Sequence, residues 1–409
     1  MKKINKTTIF GAALAFALCG CVVSSDNKSL IYDIETVKVY ESPAAEKPGH
    51  NAWPAVFVDK DGGVCVVFQQ IVGDLSEKPS YNFRLQADKY TIKRICVRAE
   101  KGSTKFEKIW EAKMQSAHSF FIPVPTAAPD GKMLAMCLPS SGEEFKKFPE
   151  KSIVIVESDD YGKTLKVRSN IVVDGIDLYP NDIRYIGKRL YLASYDGKGA
   201  AHLFYSDDDG KTWSKPLEIV RAHDNQTFHE PTFCETSNGG LIVLLRTHRM
   251  DIPRHNGINY RKVYINKNAD GTLAIVPGDE AISNSFYFDE QGKCQLSPIY
   301  ETPFGFRGRP FVQKGKDDTI IFVAPGHFMA FSKDDGKTWF SGEFDFNIER
   351  VKITDSFGTK PFNWNAETTL TPLPDGRYYY SYFIGSDYPF PAPCDMYIGG
   401  TFFRIRGDK

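Results

Sequence analysis

The chain has 409 residues, with 51 basic and 51 acidic side chains, eight cysteines and 42% hydrophobic residues. That length holds one large domain or two ordinary ones, and the hydrophobic share excludes a disordered chain. The charge balance leaves no basic field, which excludes nucleic acid as the main partner.

The first element is a targeting segment. A basic start, MKKINK, precedes an apolar run, TTIFGAALAFAL, that is too short for a comfortable membrane span. Leu18-Cys19-Gly20-Cys21 then resembles a bacterial lipobox, which implies cleavage before Cys21 and acylation of that cysteine. Residues 1–20 are therefore read as a lipoprotein signal peptide and residues 21–29 as a tether. Losing Lys2, Lys3 and Lys6 leaves 48 basic against 51 acidic residues, a formal charge of −3. The expected location is the periplasm or the outer-membrane surface, with the membrane reached through the lipid anchor.

The rest of the chain predicts strands. SLIYDIETVKVYE opens it, and six similar segments follow. Each has a polar or small start, an apolar strand, a glycine-containing turn and a second apolar strand. They begin near His50, His118, Tyr179, His229, Arg307 and Asn365. The spacing is roughly 60 residues, which suits a four-stranded unit with generous loops. A C-terminal strand, DMYIGGTFFRIR, pairs with the opening strand to close the set. No stretch of helical period follows the targeting segment. The six remaining cysteines lack a CxxC pair, so no zinc site is predicted. Cys65 and Cys96 are read either as a cross-strand disulfide or as buried thiols.

A second repeat lies inside these units. SDDDGKTW (Ser206–Trp213) and SKDDGKTW (Ser332–Trp339) are near copies, and SDDYGKTL (Ser158–Leu165) is a third. The pattern suits a hairpin in which Ser and Asp bond the turn backbone and Gly takes a positive φ. The three copies resemble the Asp-boxes, or BNR repeats, of the sialidase superfamily. That resemblance implies an all-β fold over residues 30–409: a six-bladed β-propeller of four-stranded antiparallel blades. It also makes the repeat carboxylates structural.

In such a ring the six unit starts share one mouth. They offer His50, Asn51, His118, Asn181, Asp182, His229, Glu230, Arg307, Arg309 and Glu367. Charged groups crowded at an apolar axis cost free energy unless they are paired or used. The fourth start, EPTFCETSNGGLIVLLR, resembles the central sialidase motif. By that resemblance Glu230 assists the nucleophile and Arg246 binds the substrate. Ala52-Trp53-Pro54 stands where the family has Arg-Ile-Pro, and Glu367 stands at the place of the nucleophilic tyrosine. Asp74 is the candidate counterpart of the acid/base aspartate. The third arginine's place falls to Arg307, Arg309 or His327.

These departures have one physical reading. Sialic acid carries a carboxylate at its anomeric carbon, which repels a carboxylate nucleophile and favours tyrosine. A sugar without that group needs no arginine triad and tolerates Glu367. The expectation is an exo-acting glycoside hydrolase that cleaves a terminal sugar from a complex glycan. Glu230, Glu367 and Asp74 are the catalytic candidates. His50, His118, Asp182, His229, Arg246, Arg307, Arg309 and His327 contact the substrate, and Trp53 offers an apolar face, as do Phe120, Trp364 and Tyr388. A non-catalytic glycan-binding propeller, a true exo-sialidase and a lyase using His50, His118 or His229 are the alternatives. No cofactor, no metal and a monomer are expected.

Overall fold

The computed structural model of the chain describes residues 31–73, 90–114, 125–139, 143–223, 226–249, 258–277, 285–288, 294–296, 309–315, 317–324, 328–339, 352–354, 361–363, 366–385 and 395–406. Among them the only helical pieces are 3-10 turns at Ala44–Glu46 and Glu143–Phe145. Everything else that is regular is strand.

The strand β1 (Ile31–Tyr40) precedes a first unit of β2 (Gly49–Val58), β3 (Val64–Val72), β4 (Thr91–Ala99) and β5 (Phe106–Met114). A second unit holds β6 (Thr126–Ala127), β7 (Met133–Cys137), β8 (Ile153–Ser158) and β9 (Lys166–Ile171). A third holds β10 (Leu178–Ile186), β11 (Arg189–Asp196), β12 (Ala201–Ser206) and β13 (Leu217–Val220). The fourth is built on β14 (Gln226–Glu235), β15 (Leu241–Arg249) and β16 (Ile258–Lys267), with β17 (Leu273–Ile275), β18 (Ser285–Phe288) and β19 (Cys294–Leu296) at its edge. Then come β20 (Phe311–Lys314), β21 (Ile320–Ala324) and β22 (Phe328–Ser332), and a pair of β23 (Lys352–Thr354) with β24 (Pro361–Asn363). The last unit is β25 (Ala366–Pro372), β26 (Tyr378–Gly385) and β27 (Met396–Ile405). Within the units successive strands pair antiparallel, except that β17 and β18 both pair with β16.

The outer place beside β27 is taken by β1, with Ile31 opposite Ile405 and Tyr40 opposite Ile398. The first and last strands thus share one sheet. One parallel pair, His50 with Met396, joins β27 to β2. The first strands of the units also touch in sequence: β2 packs on β6, β6 on β10, β10 on β14, β14 on β20, β20 on β25, and β25 back on β2.

Burial explains the strand compositions. The second strands are buried on both faces, because neighbouring units stack face to face, so Val64–Val72 and Ile320–Ala324 read as continuous apolar runs. Leu134, Met136 and Ile155 of the second unit interleave with Ile183, Leu192 and Phe204 of the third. Ile242 and Leu244 of the fourth do the same with Val312 and Phe322. By contrast β5, FEKIWEAKM, buries only Trp110 and shows charge outward, as suits an edge. Cys65, Cys96, Cys137 and Cys234 are buried and free, so Cys65 and Cys96 form no bridge. Burial pushes the Cys137 and Cys234 thiols up to about 12.

The three S-x-D-x-G-x-T turns share one hydrogen-bond plan. Each serine hydroxyl accepts the glycine N–H, at 2.8, 2.7 and 2.7 Å for Gly162, Gly210 and Gly336. Each also donates to the aspartate, and Asp160, Asp208 and Asp334 accept the N–H and hydroxyl of Thr164, Thr212 and Thr338. The preceding unit grips each of these turns, with Arg94 donating to Lys163 O at 3.4 Å in the first. Arg168 donates to Asp209 O at 2.6 Å, while Tyr264 and Lys262 donate to the Asp335 and Gly336 carbonyls at 2.7 and 2.8 Å.

These bonds act on acidity. The Thr212 hydroxyl and N–H hold Asp208 down at about 2. Partial burial alone would raise Asp160 and Asp334, but their Thr and Ser donors hold both below the usual range. A carboxyl depressed in the folded state contributes stability that is complete above its unfolded pKa, near 4, and is lost as pH falls through the folded value. Part of the acid destabilisation between about pH 4 and pH 2 is therefore assigned to these turns. Thermal melts across that range should show a shallower acid limb for Asp208→Asn than for the native chain; superimposable limbs would contradict the assignment.

Two glycines near the middle of β27 have a steric reason. A Cβ on Gly399 would lie 2.3 Å from the Tyr382 ring, and one on Gly400 would lie 2.4 Å from the Tyr379 ring. The two tyrosine rings occupy the space that those Cβ atoms would need. Gly399→Ala or Gly400→Ala is expected to destabilise by about 1–3 kcal/mol through overpacking. Urea midpoints would measure this, and unchanged midpoints would refute it.

Candidate active site

Three first strands break register at the same point. In β2 the break lies between Ala52 (opposite Gln69) and Ala55 (opposite Val67). In β14 it lies between His229 (opposite Arg246) and Thr232 (opposite Leu244). In β25 it lies between Ala366 (opposite Phe383) and Thr369 (opposite Ser381). In each, two residues face one, which is a β-bulge, a device that re-aims side chains beside active sites. The equivalent bulge positions are Trp53, Glu230 and Glu367. A related shift between Pro180 and Asp182 places Asn181 in β10.

The local chemistry suits the bulges. Trp53-Pro54 and Glu230-Pro231 each put a proline, which has no N–H to leave unpaired, second in the bulge. Trp53 and Glu230 hold φ of 55° and 49°, a left-handed conformation that is uncommon for non-glycine residues and is concentrated at functional sites. Glu367 lies in the β25 bulge by backbone register; its side chain is outside the described residues.

Glu230 Oε2 lies 3.0 Å from Arg246 Nη1, and both side chains are partly exposed. The approach is a charge contact without hydrogen-bond alignment, so Glu230 Oε2 and Arg246 Nε have no aligned partner among the described residues. Those two atoms are themselves buried although the side chains are partly exposed, and buried polar atoms with bonding capacity left unused at a strained bulge call for a further partner, a role a ligand hydroxyl suits. Beneath them lies Tyr260, opposite Arg246 in register and fully buried against Phe322. Burial raises the Tyr260 hydroxyl pKa, Arg246 lowers it and Glu230 raises it, so both charges are felt there.

The floor is a buried ionic network. Arg184 binds Asp182 in a two-pronged pair and also donates to Thr232 Oγ1 at 2.6 Å and Val312 O at 2.6 Å. Thr232 donates to Asp182 at 2.8 Å. The Arg184 guanidinium lies over Phe311 at 4.5 Å. These contacts join the third, fourth and fifth units. Asp182, expected to contact substrate, is fully buried, with both oxygens engaged by Arg184. Asn181 donates to Pro231 O at 2.8 Å, and the buried Arg309 donates to Asn181 O at 2.9 Å. Through Asn181, Arg309 is linked to the Glu230-Pro231 bulge.

The other candidates divide in two. His50 is buried, with its ring centre 5.5 Å from that of Trp53, and Trp53 reaches Phe383 at 6.1 Å, beside the β25 bulge. His229 is bonded to Thr227 Oγ1 at 2.9 Å. Asp74, His118, Arg307 and His327 lie outside the described residues, as do Phe120, Trp364, Tyr388 and Cys21. Among the described residues no three His, Cys, Asp or Glu side chains converge as metal ligands. Sequence reading missed Tyr260, Arg184 and the pair Tyr179–Tyr195. Only Arg184, two residues from Asp182 on one strand, carried a signal, since such spacing puts both on one face.

No protein-family model matches the sequence, and no curated protein is similar to it. Solved structures are similar in fold. A family 93 α-L-arabinofuranosidase of Fusarium graminearum, solved with arabinobiose, superposes with a TM-score of 0.57 at 13% identity, over 92% of this chain and 98% of that one. An α-L-arabinanase of Penicillium chrysogenum, also with arabinobiose, gives 0.55 at 12%, over 89% and 97%. An intramolecular trans-sialidase from Ruminococcus gnavus gives 0.53 at 13%, over 91% and 98%. At these identities the likeness shows the fold alone: an all-β propeller.

Proposed function

We propose that this propeller is an exo-acting glycoside hydrolase that removes a terminal neutral sugar from a complex glycan. The observation that carries the reading is the register equivalence of Glu230 and Glu367, two glutamates at the same bulge of two first strands. One carboxyl donates a proton to the leaving oxygen. The other attacks the anomeric carbon or activates the water that does. Paired carboxyls divide these duties because both cannot ionise easily together. Arg246 holds Glu230 and a sugar hydroxyl, and Trp53 supplies an apolar face. Two of the similar structures hold arabinobiose, which supports a neutral sugar.

The reading includes six blades closed by β1 on β27, a monomer, and a lipid anchor at Cys21. The tether enters at Ile31, opposite Ile405, whereas Met396 at the other end of β27 lies beside His50 at the mouth. A chain that enters at the end of β1 far from the mouth supports a mouth turned away from the anchoring membrane.

A panel of aryl glycosides, including the α-L-arabinofuranoside and a sialoside, together with arabinan, tests the activity. Turnover of a neutral glycoside without release of sialic acid is expected. Binding of glycans with no turnover on any of them would replace hydrolysis with recognition.

A further inference from the structure

Beyond the mouth, one aromatic feature of the rim is unused by the reading above. Tyr179, at the start of β10, stacks on Tyr195, at the end of β11, with ring centres 5.4 Å apart and planes at 22°. Tyr195 in turn meets the His229 ring edge-on at 5.2 Å. His229 directly precedes Glu230 in β14, so the three rings form a track from the residue next to the candidate carboxylate over the third unit. Tyr179 remains 38% exposed, one of six exposed large hydrophobic side chains among the described residues.

The track is held in place by the backbone. Gly199, at φ 84°, lets the β11–β12 turn press on β14: a Cβ there would lie 2.4 Å from Thr227 Cβ. Phe228 N–H donates to Gly199 O at 2.8 Å in the same contact. Thr227 is also the partner of His229. The turn thus fixes the seam where Tyr195 meets His229.

We infer that Tyr179 and Tyr195 form a sugar-binding subsite for the part of the glycan that leads away from the scissile bond. The occupant is a chain of neutral sugar rings. An exo-acting mouth encloses only the terminal sugar, so the remaining chain must leave across the rim. The C–H face of a sugar ring is apolar and its edge is rich in hydroxyls, which matches a tyrosine's flat apolar body and polar tip. This inference rests on the glycosidase reading for its polarity, but binding alone can test it.

The probe is a series of arabino-oligosaccharides of two to five units, beside the aryl α-L-arabinofuranoside. Calorimetry on Glu230→Gln protein reads binding without turnover. Affinity should rise with chain length. In Tyr179→Ala the ratio of kcat/KM on the longest chain to that on the aryl glycoside should fall about tenfold, the order of one stacked ring. Tyr179→Phe, which keeps the ring, should restore it. A ratio unmoved by Tyr179→Ala, or affinity independent of chain length, overturns the subsite. Affinity raised by an attached apolar peptide, and not by added sugars, would assign the track to protein and overturn it as well. Length-dependent binding without hydrolysis would keep the subsite and remove the catalytic reading.

Discussion

Glu230→Gln and Glu367→Gln are each expected to lower kcat/KM by about 10²–10⁴ on a neutral glycoside, with the fold intact. That range corresponds to about 3–5 kcal/mol of lost transition-state stabilisation. The amide keeps the carboxyl's shape and removes its ability to give or take a proton. Glu230 is partly exposed at a strained bulge, so its replacement removes chemistry and little packing. If the two act as a unit, the double variant should be little worse than the poorer single one, since such effects are not additive. Circular dichroism and melting curves guard against unfolding. Full activity in both single variants would remove the carboxylate pair from the mechanism.

The largest effect on stability is expected below the site. Asp182 and Arg184 are paired where Asp182 is fully buried, and the pair binds three units together through Thr232 and Val312. Removing one partner leaves the other charge uncompensated. Asp182→Ala or Arg184→Ala should each cost about 3–5 kcal/mol in urea denaturation. Replacing both, as Asp182→Leu with Arg184→Met, should cost clearly less than the sum, because burying two apolar groups avoids the desolvation that an ion pair must offset. Additive losses would mean that the pair does not act as a unit. Because Asp182 makes no described contact with the mouth, its loss should reduce activity only in step with loss of folded protein.

Much of the architecture was legible as local pattern. The alternating apolar pairs, the Asp-Gly and Gly-Gly turns and the three Ser-x-Asp-x-Gly-x-Thr repeats are decided by residues within ten positions of one another. The observed strands and turn hydrogen bonds follow them. The opening and closing strands were recognisable by composition, and they pair. Glu230 and Glu367 stood out because a charge at the head of an apolar strand has no packing reason to be there.

What was not legible depends on partners far away in the chain. A bulge exists only relative to a second strand, so the equivalence of Trp53, Glu230 and Glu367 appeared only with the register. Asp182 read as a rim carboxylate, yet Arg184 on its own strand and Thr232 fifty residues on enclose it. Tyr195 became part of a track because Gly199 lets its turn close on β14. Short-range composition sets which segments become strands and turns. Which side chains meet at the axis is settled by packing between units, where one residue of register moves a side chain from the core to the mouth.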